Sequence, residues 1–345
     1  MANFTITDAR IAAPALVALM YFPKNLQKIL PSKLRPLLKS PLLFKILIAL
    51  VGIDVLRKSN RAFSRHVADN GTRVTFRPSS ELVLITGGSS GLGLLMAKEF
   101  ARLGAKVIIL DLNPPQDSIP ANVFYYKCDV RSISEISDTA AEIRKEHGDP
   151  TVLINNAGIG NLLPILECTE KSVENTFGVN IKSHFWMARE YVPAMIKKNH
   201  GHIVTIASLS SYVTQSLMVD YCCTKAAALA FHEGLACELA TLHNAPNVRT
   251  TTVNPSWIRT PLTKQLSQVP VFKPEIMEPE YVIQRIVKQV ISGESGNIIL
   301  PKKLYLFSTL RHWPSWAQIT FRNLIGSNMK AVKDYLEAAQ IRDSS

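Results

Sequence analysis

Short runs rich in β-branched residues alternate with longer amphipathic stretches from Glu81 to Leu300. The β-branched runs predict seven strands, at residues 82–86, 106–111, 123–126, 151–155, 202–207, 249–253 and 297–300. The amphipathic stretches predict helices near residues 91–103, 133–147, 183–199, 221–242 and 279–291. This alternation predicts an α/β fold, a doubly wound parallel sheet of the Rossmann type, in a single catalytic domain over residues 81–300.

Two further apolar runs precede this pattern, at residues 11–22 and 42–56. The first contains Pro14, and the second is interrupted by Lys45 and Asp54. Both are shorter than the roughly 20 apolar residues of a membrane-spanning helix. A cleaved secretory signal is an alternative for the first run, although no small-residue cleavage pattern follows it.

Prolines recur every five residues between these runs, at Pro31, Pro36 and Pro41, among leucines and basic residues. Helical turns broken at each proline would place leucines on one side and cations on the other, which suits a lipid headgroup layer. We expect residues 1–65 to form a membrane-associating extension, or one that packs on its own domain or on a second copy. Residues 66–80 are polar and rich in turn residues, which predicts a linker.

The positive charge of the chain is concentrated at its two ends. The net charge is +12, and residues 1–65 contain eleven Lys or Arg against two acidic residues. Residues 301–345 contain seven against three, together with several aromatic side chains. A nucleic-acid groove needs its cations spread over one folded face, so we expect a lipid surface and no nucleic acid as partner.

Five cysteines form an odd set, of which Cys222 and Cys223 are adjacent. This argues against a disulfide framework and favours a reducing compartment. Neither these cysteines nor the eight histidines show the paired spacing of metal ligands. We therefore expect no metal.

A glycine-rich segment, Thr86-Gly87-Gly88-Ser89-Ser90-Gly91-Leu92-Gly93, joins the first predicted strand to the first helix. Gly87 permits a tight turn, Gly91 lets the backbone approach a pyrophosphate, and Gly93 allows close packing. The N–H groups and positive dipole of the following helix would bind the phosphates. The placement of this segment between a strand and a helix predicts a dinucleotide site, to which Ser89, Ser90 and Leu92 would also contribute.

Asp111 ends the second predicted strand, 24 residues beyond Gly87. This spacing is close to the offset of roughly 20 residues at which a carboxylate meets the adenosine ribose. Such a carboxylate accepts a hydrogen bond from the 2′-hydroxyl and repels a 2′-phosphate. No basic residue follows in positions 112–115. NAD(H) is therefore favoured, NADP(H) is the alternative, and a solvated aspartate at a strand end is the structural alternative.

Tyr221 and Lys225 lie four residues apart at the start of a predicted helix, so they share one face. Hydride transfer between an alcohol and a nicotinamide needs a group that moves the hydroxyl proton. A tyrosine, with an ordinary pKa of about 10, becomes such a base when positive charge from Lys225 and the oxidised nicotinamide lowers its pKa. Ser208 ends the preceding strand, where its hydroxyl can hold the substrate oxygen.

These motifs together resemble the short-chain dehydrogenase/reductase family over residues 81–300. The family's nucleotide signature matches Thr86, Gly87, Gly91 and Gly93, and its cofactor-supporting motif matches Asn155-Asn156-Ala157-Gly158. The resemblance implies an adenine contact for Asp129 and Val130 and a catalytic tetrad of Asn180, Ser208, Tyr221 and Lys225. It implies that Asn180 bends a helix and holds a water that links Lys225 to solvent.

Two positions depart from the family pattern. Pro255-Ser256 stands where the family usually has Pro-Gly, and its serine would crowd the nicotinamide wall, where the resemblance implies carboxamide contacts for Thr260. Thr224 replaces a common serine before the catalytic lysine.

Within the family, the chain is most similar to the membrane-associated retinol and 17-beta-hydroxysteroid dehydrogenases. This resemblance implies a lipophilic alcohol or carbonyl of retinoid, steroid, terpenoid or fatty type. It also implies a homo-oligomer on the endoplasmic reticulum or a lipid droplet, with the catalytic domain facing the cytosol. The alternatives are a non-catalytic nucleotide-binding protein at a lipid surface and a soluble biosynthetic carbonyl reductase.

Overall fold

Prolines divide the first part of the chain into helical segments. The computed structural model describes residues 9–29 and 31–343, so residues 1–8 and 30 of the predicted extension lie outside the described residues. The segments are α1 (Ala9–Tyr21), α2 (Pro23–Ile29), a 3₁₀ helix (Ser32–Lys39) and α3 (Pro41–Ala68). They belong to the first of two units, Met1–Ala68. Among the described residues, no helix is long and apolar enough to cross a membrane.

Helix α3 extends well beyond the second apolar run. It continues through Ala68 and is followed by Asn70 and Gly71, which both adopt positive φ. Positive φ cannot propagate a right-handed helix, which explains why the helix stops here. The first three residues of the predicted linker therefore belong to α3, because the stretch after the apolar run contains no proline.

The second unit, Asp69–Ser345, contains a seven-stranded parallel sheet in the order β3-β2-β1-β4-β5-β6-β7. The strands are β1 (Leu82–Thr86), β2 (Lys106–Asp111), β3 (Val123–Lys127), β4 (Val152–Asn155), β5 (Gly201–Ile206), β6 (Val248–Pro255) and β7 (Gly296–Leu300). Each overlaps its predicted strand, and the predicted Rossmann-type fold is confirmed. Strands buried on both faces read as continuous apolar runs, which is why the sequence predicts them well.

Helices cover both faces of the sheet. The helices of this unit are α4 (Gly91–Arg102), α5 (Ile133–His147), α6 (Glu170–Phe177), α7 (Ser183–Lys198), α8 (Val219–Thr241), α9 (Lys264–Ser267), α10 (Pro279–Ile291) and α11 (Ser315–Asp343). Helices α4 and α10 pack on the face that carries Val83, Ile85 and Val204. Helices α5, α7 and α8 pack on the opposite face, which carries Leu84 and Ile203.

The segment after β7 is more ordered than a tail. A 3₁₀ helix (Lys302–His312) is followed by α11, which spans 29 residues. Ile325, Met329, Val332 and Leu336 of α11 pack into two apolar clusters with the loops beside α8 and α9. Their spacing of four, three and four residues is a helical pattern, which the sequence analysis of this region, based on its basic charge and aromatic side chains, did not use.

Candidate active site

A cavity of about 650 Å³ lies at the carboxyl edge of the sheet, beside β1 and β4, where the strand order reverses. Parallel sheets bind ligands at this edge and at this switch point. Most of the predicted site residues line the cavity: Gly87, Ser90, Gly91, Leu92, Asp111, Asp129, Val130, Asn156, Ala157, Gly158, Ser208, Tyr221, Lys225 and Thr260. The other four, Thr86, Ser89, Gly93 and Asn180, lie behind these and hold them in place.

The glycine-rich turn leaves no room for a side chain at Gly87 or Gly93. Gly87 adopts a φ of +65°, and a Cβ there would lie 2.8 Å from the Cα of Ala157. A Cβ on Gly93 would clash with the carbonyl oxygen of Gly87 and lie 2.7 Å from the side-chain amide of Asn156. Ser90, Gly91 and Leu92 face the cavity at the start of α4, whose first turn contains no acidic residue. This cradle of backbone N–H groups fits a pyrophosphate.

The turn is fixed to the loop after β4 by hydrogen bonds. The backbone N–H groups of Asn156 and Ala157 each donate to Thr86 Oγ1 over 3.0 Å. The side-chain amide of Asn156 donates to the carbonyl oxygens of Thr86 and Gly87, also over 3.0 Å. Thr86 and Asn156 therefore position both walls of the cofactor end, which gives the matched family motifs a structural role.

The carboxylate of Asp111 is oriented by two backbone donors. It accepts a hydrogen bond from the N–H of Ser89 over 3.1 Å and from that of Asn113 over 3.3 Å. Ser89 thus acts through its backbone, since its side chain is buried and its residue does not line the cavity. Among the described residues that line the cavity, Lys225 is the only lysine or arginine. The cofactor end therefore offers a carboxylate and no cation to the ribose.

Asp129 lines the cavity but is paired with an arginine. Its carboxylate accepts from the Arg131 guanidinium over 2.6 to 3.0 Å. Hydrogen bonds from Arg131 lower the pKa of Asp129, so the carboxylate is charged at neutral pH. The adenine contact that the resemblance implies for Asp129 remains a prediction.

Ser208, Tyr221 and Lys225 meet at the inner wall of the cavity. Lys225 is buried, and its ammonium donates to the carbonyl oxygen of Ile206 over 2.7 Å and lies 5.6 Å from the centre of the Tyr221 ring. Ser208 accepts from the N–H of Ser210, which orients its hydroxyl near the Tyr221 phenol. The strand end and the first turn of α8 therefore bring the three predicted catalytic side chains together.

Burial shifts both titratable groups of this trio toward their neutral forms. It raises the pKa of Tyr221 to about 12, an effect that the hydrogen bond with Ser208 opposes. It lowers the pKa of Lys225 to about 8. Tyr221 is therefore a protonated phenol at neutral pH, which suits the donor of a proton to a carbonyl oxygen, while the lysine keeps most of its charge.

Asn180 lies behind the trio rather than in the cavity. It belongs to a π-helical segment (Gly178–Lys182) between α6 and α7, which is the helix irregularity that the resemblance implies. Its side chain exchanges hydrogen bonds with the backbone of Ile159 over 2.8 and 2.9 Å. It also donates to Thr224 Oγ1 over 3.1 Å, and that hydroxyl donates to the carbonyl oxygen of Tyr221. Asn180 and Thr224 together support the turn that carries Tyr221.

The sequence interpretation missed a second buried network beside Tyr221. Asp220 Oδ2 accepts from Asn161 Nδ2 and from Thr176 Oγ1, each over 3.1 Å. Its other oxygen accepts from the N–H of Tyr221 over 2.7 Å. These residues come from three distant segments, so no local motif would have grouped them; an aspartate at the start of a helix was the available signal.

The loop after β6 closes one side of the cavity. Thr260 caps the 3₁₀ turn Pro261–Thr263, and a Cβ on Gly91 would lie 3.3 Å from Pro261. Ser256 lines the cavity, and its N–H donates to the carbonyl oxygen of Leu300 over 2.7 Å. Serine at the usual glycine position therefore keeps a backbone hydrogen bond to the end of β7 and lies on the cavity wall.

The end of the cavity beyond Tyr221 is apolar. Its walls are formed by Leu162, Leu163, Met218, Trp257, Leu262 and Leu266. Trp257 packs edge-on against Phe272 with ring centres 4.9 Å apart. Leu262 and Leu266 come from the segment that follows Thr260. Among the described residues, no group of His, Cys, Asp and Glu could hold a metal ion.

The fold and these residues define a dinucleotide-dependent oxidoreductase. The sequence profile described as short chain dehydrogenase matches residues 81–270. The chain belongs to this family, whose members bind NAD(P)(H) and act on alcohols or the corresponding carbonyls.

Curated relatives are similar to this chain over most of their own length. A dehydrogenase RED2 from Cochliobolus heterostrophus is 40% identical over 63% of this chain and 82% of its own length. The epidermal retinol dehydrogenase 2 of Mus musculus is 36% identical over 68% of this chain and 78% of its own length. The estradiol 17-beta-dehydrogenase 11 of Homo sapiens is 33% identical over 76% of this chain and 89% of its own length. These relatives support the predicted branch of the family.

Solved structures share the fold at lower identity. The aldohexose dehydrogenase of Thermoplasma acidophilum superposes with a TM-score of 0.58 at 23% identity, over 65% of this chain and 93% of that chain. A 3-ketoacyl-(acyl-carrier-protein) reductase from Brucella melitensis, solved with NADH, superposes with a TM-score of 0.58 at 23% identity, over 65% of this chain and 97% of that chain. The similarity confirms the fold.

Proposed function

We propose that this protein oxidises a lipophilic alcohol with NAD, or reduces the corresponding carbonyl with NADH. The observation that carries this proposal is the position of Ser208, Tyr221 and Lys225 between an acidic cofactor end and an apolar substrate end of one cavity. The retinol and estradiol dehydrogenases among its relatives support the same substrate class.

Each residue of the trio has a distinct role in the reaction. When bound, the nicotinamide accepts or donates the hydride at the substrate carbon. Ser208 donates a hydrogen bond to the substrate oxygen, and Tyr221 takes or gives its proton. Lys225 stabilises the phenolate with its charge, and Asn180 supports the turn that holds Tyr221. The wall formed by Leu162, Trp257 and their neighbours desolvates an apolar substrate.

The preference for NAD rests on Asp111. Its carboxylate faces the cavity, held by the N–H groups of Ser89 and Asn113, and would accept a hydrogen bond from a ribose hydroxyl. A 2′-phosphate would meet this negative charge without a compensating lysine or arginine among the described residues of the cavity wall. We assign Gly87, Ser90, Gly91 and the other glycine-turn residues to the pyrophosphate, and Asp129 and Val130 to the adenine.

The direct test is turnover of a panel of retinoid, steroid, terpenoid and fatty alcohols by the full chain in detergent, with NAD and NADP in parallel. We expect reduction of NAD with at least one lipophilic class. Cofactor binding without turnover of any compound in either direction would favour a non-catalytic nucleotide-binding protein.

We further propose that the extension lies on a lipid surface, on the endoplasmic reticulum or a lipid droplet, with the catalytic unit facing the cytosol. Large apolar side chains are exposed on its helices, namely Val17, Met20, Leu42, Ile46 and Leu56, and at Phe22 between α1 and α2. Lys24 and Lys28 are exposed on α2 between them. Apolar and cationic side chains on short helices suit an anionic membrane interface.

Vesicle flotation tests this placement. The full chain should float with vesicles that contain anionic phospholipid, and Lys24→Glu with Lys28→Glu should weaken binding at least about tenfold, since each juxtamembrane cation contributes about 1 kcal/mol. Lys197→Glu with Lys288→Glu makes the same charge change on α7 and α10 and should leave binding unchanged. A chain that stays with the buffer would favour the soluble carbonyl reductase.

A further inference from the structure

The loop after β4 passes along Tyr221 before it enters the substrate end. A Cβ on Gly160 would lie 3.3 Å from Cδ2 of the Tyr221 ring, so the backbone packs closely against the catalytic side chain. Leu162 and Leu163 follow in the apolar wall. Asn161 lies between them and Gly160, and it also lines the cavity. The loop therefore places one amide at the junction between the catalytic trio and the apolar wall.

The side-chain amide of Asn161 is held in one orientation. Its nitrogen donates to Asp220 Oδ2 over 3.1 Å and to Thr176 Oγ1 over 3.0 Å, which uses both of its N–H groups. A carboxylate oxygen only accepts, so the amide cannot turn its own oxygen toward Asp220. Thr176 is fully buried, and Asp220 is 8% exposed. Helices α6 and α8 therefore fix the direction of the amide through these two side chains.

The amide oxygen of Asn161 is left without a partner. Within the described residues, Oδ1 accepts no hydrogen bond, and it is not among the unpartnered polar atoms that the protein encloses. It is therefore accessible, on a half-buried residue that lines the cavity. An acceptor that is already oriented loses little rotamer freedom when a ligand binds. Gln215, another amide on the cavity wall, has no such hydrogen bonds from its side chain in the described part of the chain.

We propose that Asn161 determines substrate specificity, because its Oδ1 accepts a hydrogen bond from a second hydroxyl of the substrate. The preferred compounds are then lipophilic diols, or the hydroxy carbonyl compounds in reduction. The inference rests on the proposed alcohol oxidation at Tyr221. The first hydroxyl meets Ser208 and Tyr221, the second meets Asn161, and the carbon skeleton lies against Leu162 and its neighbours. A simple alcohol would leave Oδ1 against hydrocarbon without a donor, which costs binding free energy.

The test uses pairs of alcohols that share one carbon skeleton and differ only in a second hydroxyl. Each class contributes a pair: decanol and the decanediols, citronellol and hydroxycitronellol, retinol and hydroxyretinol, and androstanol and androstanediol. The full chain in detergent is assayed with NAD, and kcat/KM is compared within each pair. We expect the wild type to favour the diol at least about tenfold in at least one pair. A methoxy group in place of the second hydroxyl cannot donate a hydrogen bond, so it should abolish this preference.

Three variants assign the preference to Asn161. Asn161→Leu removes the acceptor and keeps a side chain of similar size, so the ratio of diol to simple alcohol should fall to about one or reverse. Both members of a pair react at the same trio, so a general loss of catalysis cancels in this ratio. Thr176→Val removes one of the two groups that orient the amide and should give an intermediate ratio. Gln215→Leu is the matched control on the cavity wall and should keep the ratio of the wild type.

A wild type that favours the diol in no pair would overturn the proposal, as would a ratio that survives in Asn161→Leu or disappears in Gln215→Leu. If Asn161→Leu does not fold, a crystal structure of the wild type with NADH and the preferred diol decides. A substrate hydroxyl within about 3.2 Å of Asn161 Oδ1 supports the proposal, and one that meets another residue contradicts it. Failure of the proposed function is seen separately, as absent turnover of every compound or as turnover that survives Tyr221→Phe.

Discussion

The two ends of the cavity are built in different ways. At the cofactor end, one turn and one strand end supply Gly87, Gly93, Ser89 and Asp111, and backbone hydrogen bonds fix them. At the substrate end, the wall comes from separate loops whose outer side is packed against α11. A turn that requires positive φ angles, and in which a Cβ would clash, permits few residue types. An apolar wall tolerates many apolar side chains of similar volume. Local motifs therefore identify the chemistry, and tertiary packing selects the substrate.

The largest effect is expected at the trio where the two ends meet. Lys225→Met removes the charge that stabilises the Tyr221 phenolate, so we expect oxidation to slow by about 10²- to 10⁴-fold with cofactor affinity reduced far less. Single-turnover hydride transfer checks this. Arg311→Met, which removes an exposed cation that donates to the carbonyl oxygen of Ser211, is the control and should retain turnover.

The same variant has a pH signature in stability. The folded-state pKa of Lys225 is lowered to about 8, below that of the unfolded chain. Below pH 8 the protein must bury a charged ammonium, and this cost is lost as the pH rises from about 8 to the unfolded pKa of about 10.4. The free energy of unfolding of the wild type should therefore rise relative to Lys225→Met across this window. Parallel pH profiles from chemical denaturation would contradict the assigned burial.

Gly87→Ala tests the rigidity of the cofactor end. The positive φ and the 2.8 Å approach to Ala157 predict a loss of about 1–3 kcal/mol in stability and an NADH affinity at least about tenfold weaker. A Cβ on Gly234 of α8 would meet no neighbouring side chain or packed element within 4 Å, so Gly234→Ala is the matched control and should stabilise by about 0.5–1 kcal/mol. Denaturant unfolding and NADH titration measure both.

Asp111→Ser should change cofactor choice rather than chemistry. Removing the carboxylate relieves repulsion of a 2′-phosphate and loses a ribose hydrogen bond, so the NAD-to-NADP ratio of kcat/KM should fall about tenfold or more. Steady-state kinetics with both cofactors provides the measurement. An unchanged ratio would mean that Asp111 is only a solvated strand end.

Met329→Ala should produce the smallest kinetic effect, confined to the substrate end. Met329 is buried with Leu217, Met218 and Cys222 behind the apolar wall, and it does not line the cavity. Truncation should cost about 2–5 kcal/mol in stability and raise KM for the alcohol a few-fold, with NADH affinity unchanged. If Met329→Ala weakened NADH affinity as much as it raised KM for the alcohol, the division between the cofactor end and the substrate end would be contradicted.

The strands and the matched motifs could be predicted because they depend on local pattern. Leu82–Thr86 and Lys106–Asp111 were predicted with the bounds that the structure shows. The Asp220 network could not be, because its members meet only after the sheet and helices have packed. The raised pKa of Tyr221 likewise depends on burial, which no spacing of residues reveals.

The most direct test of the central claim is turnover and NADH binding by Tyr221→Phe beside the wild type, with an alcohol from the apolar panel. The hydroxyl is the only group removed, so we predict that NADH still binds with similar affinity while oxidation falls by at least about 10²-fold. Turnover that survives in Tyr221→Phe would show that proton transfer does not pass through this phenol, and would contradict the mechanism.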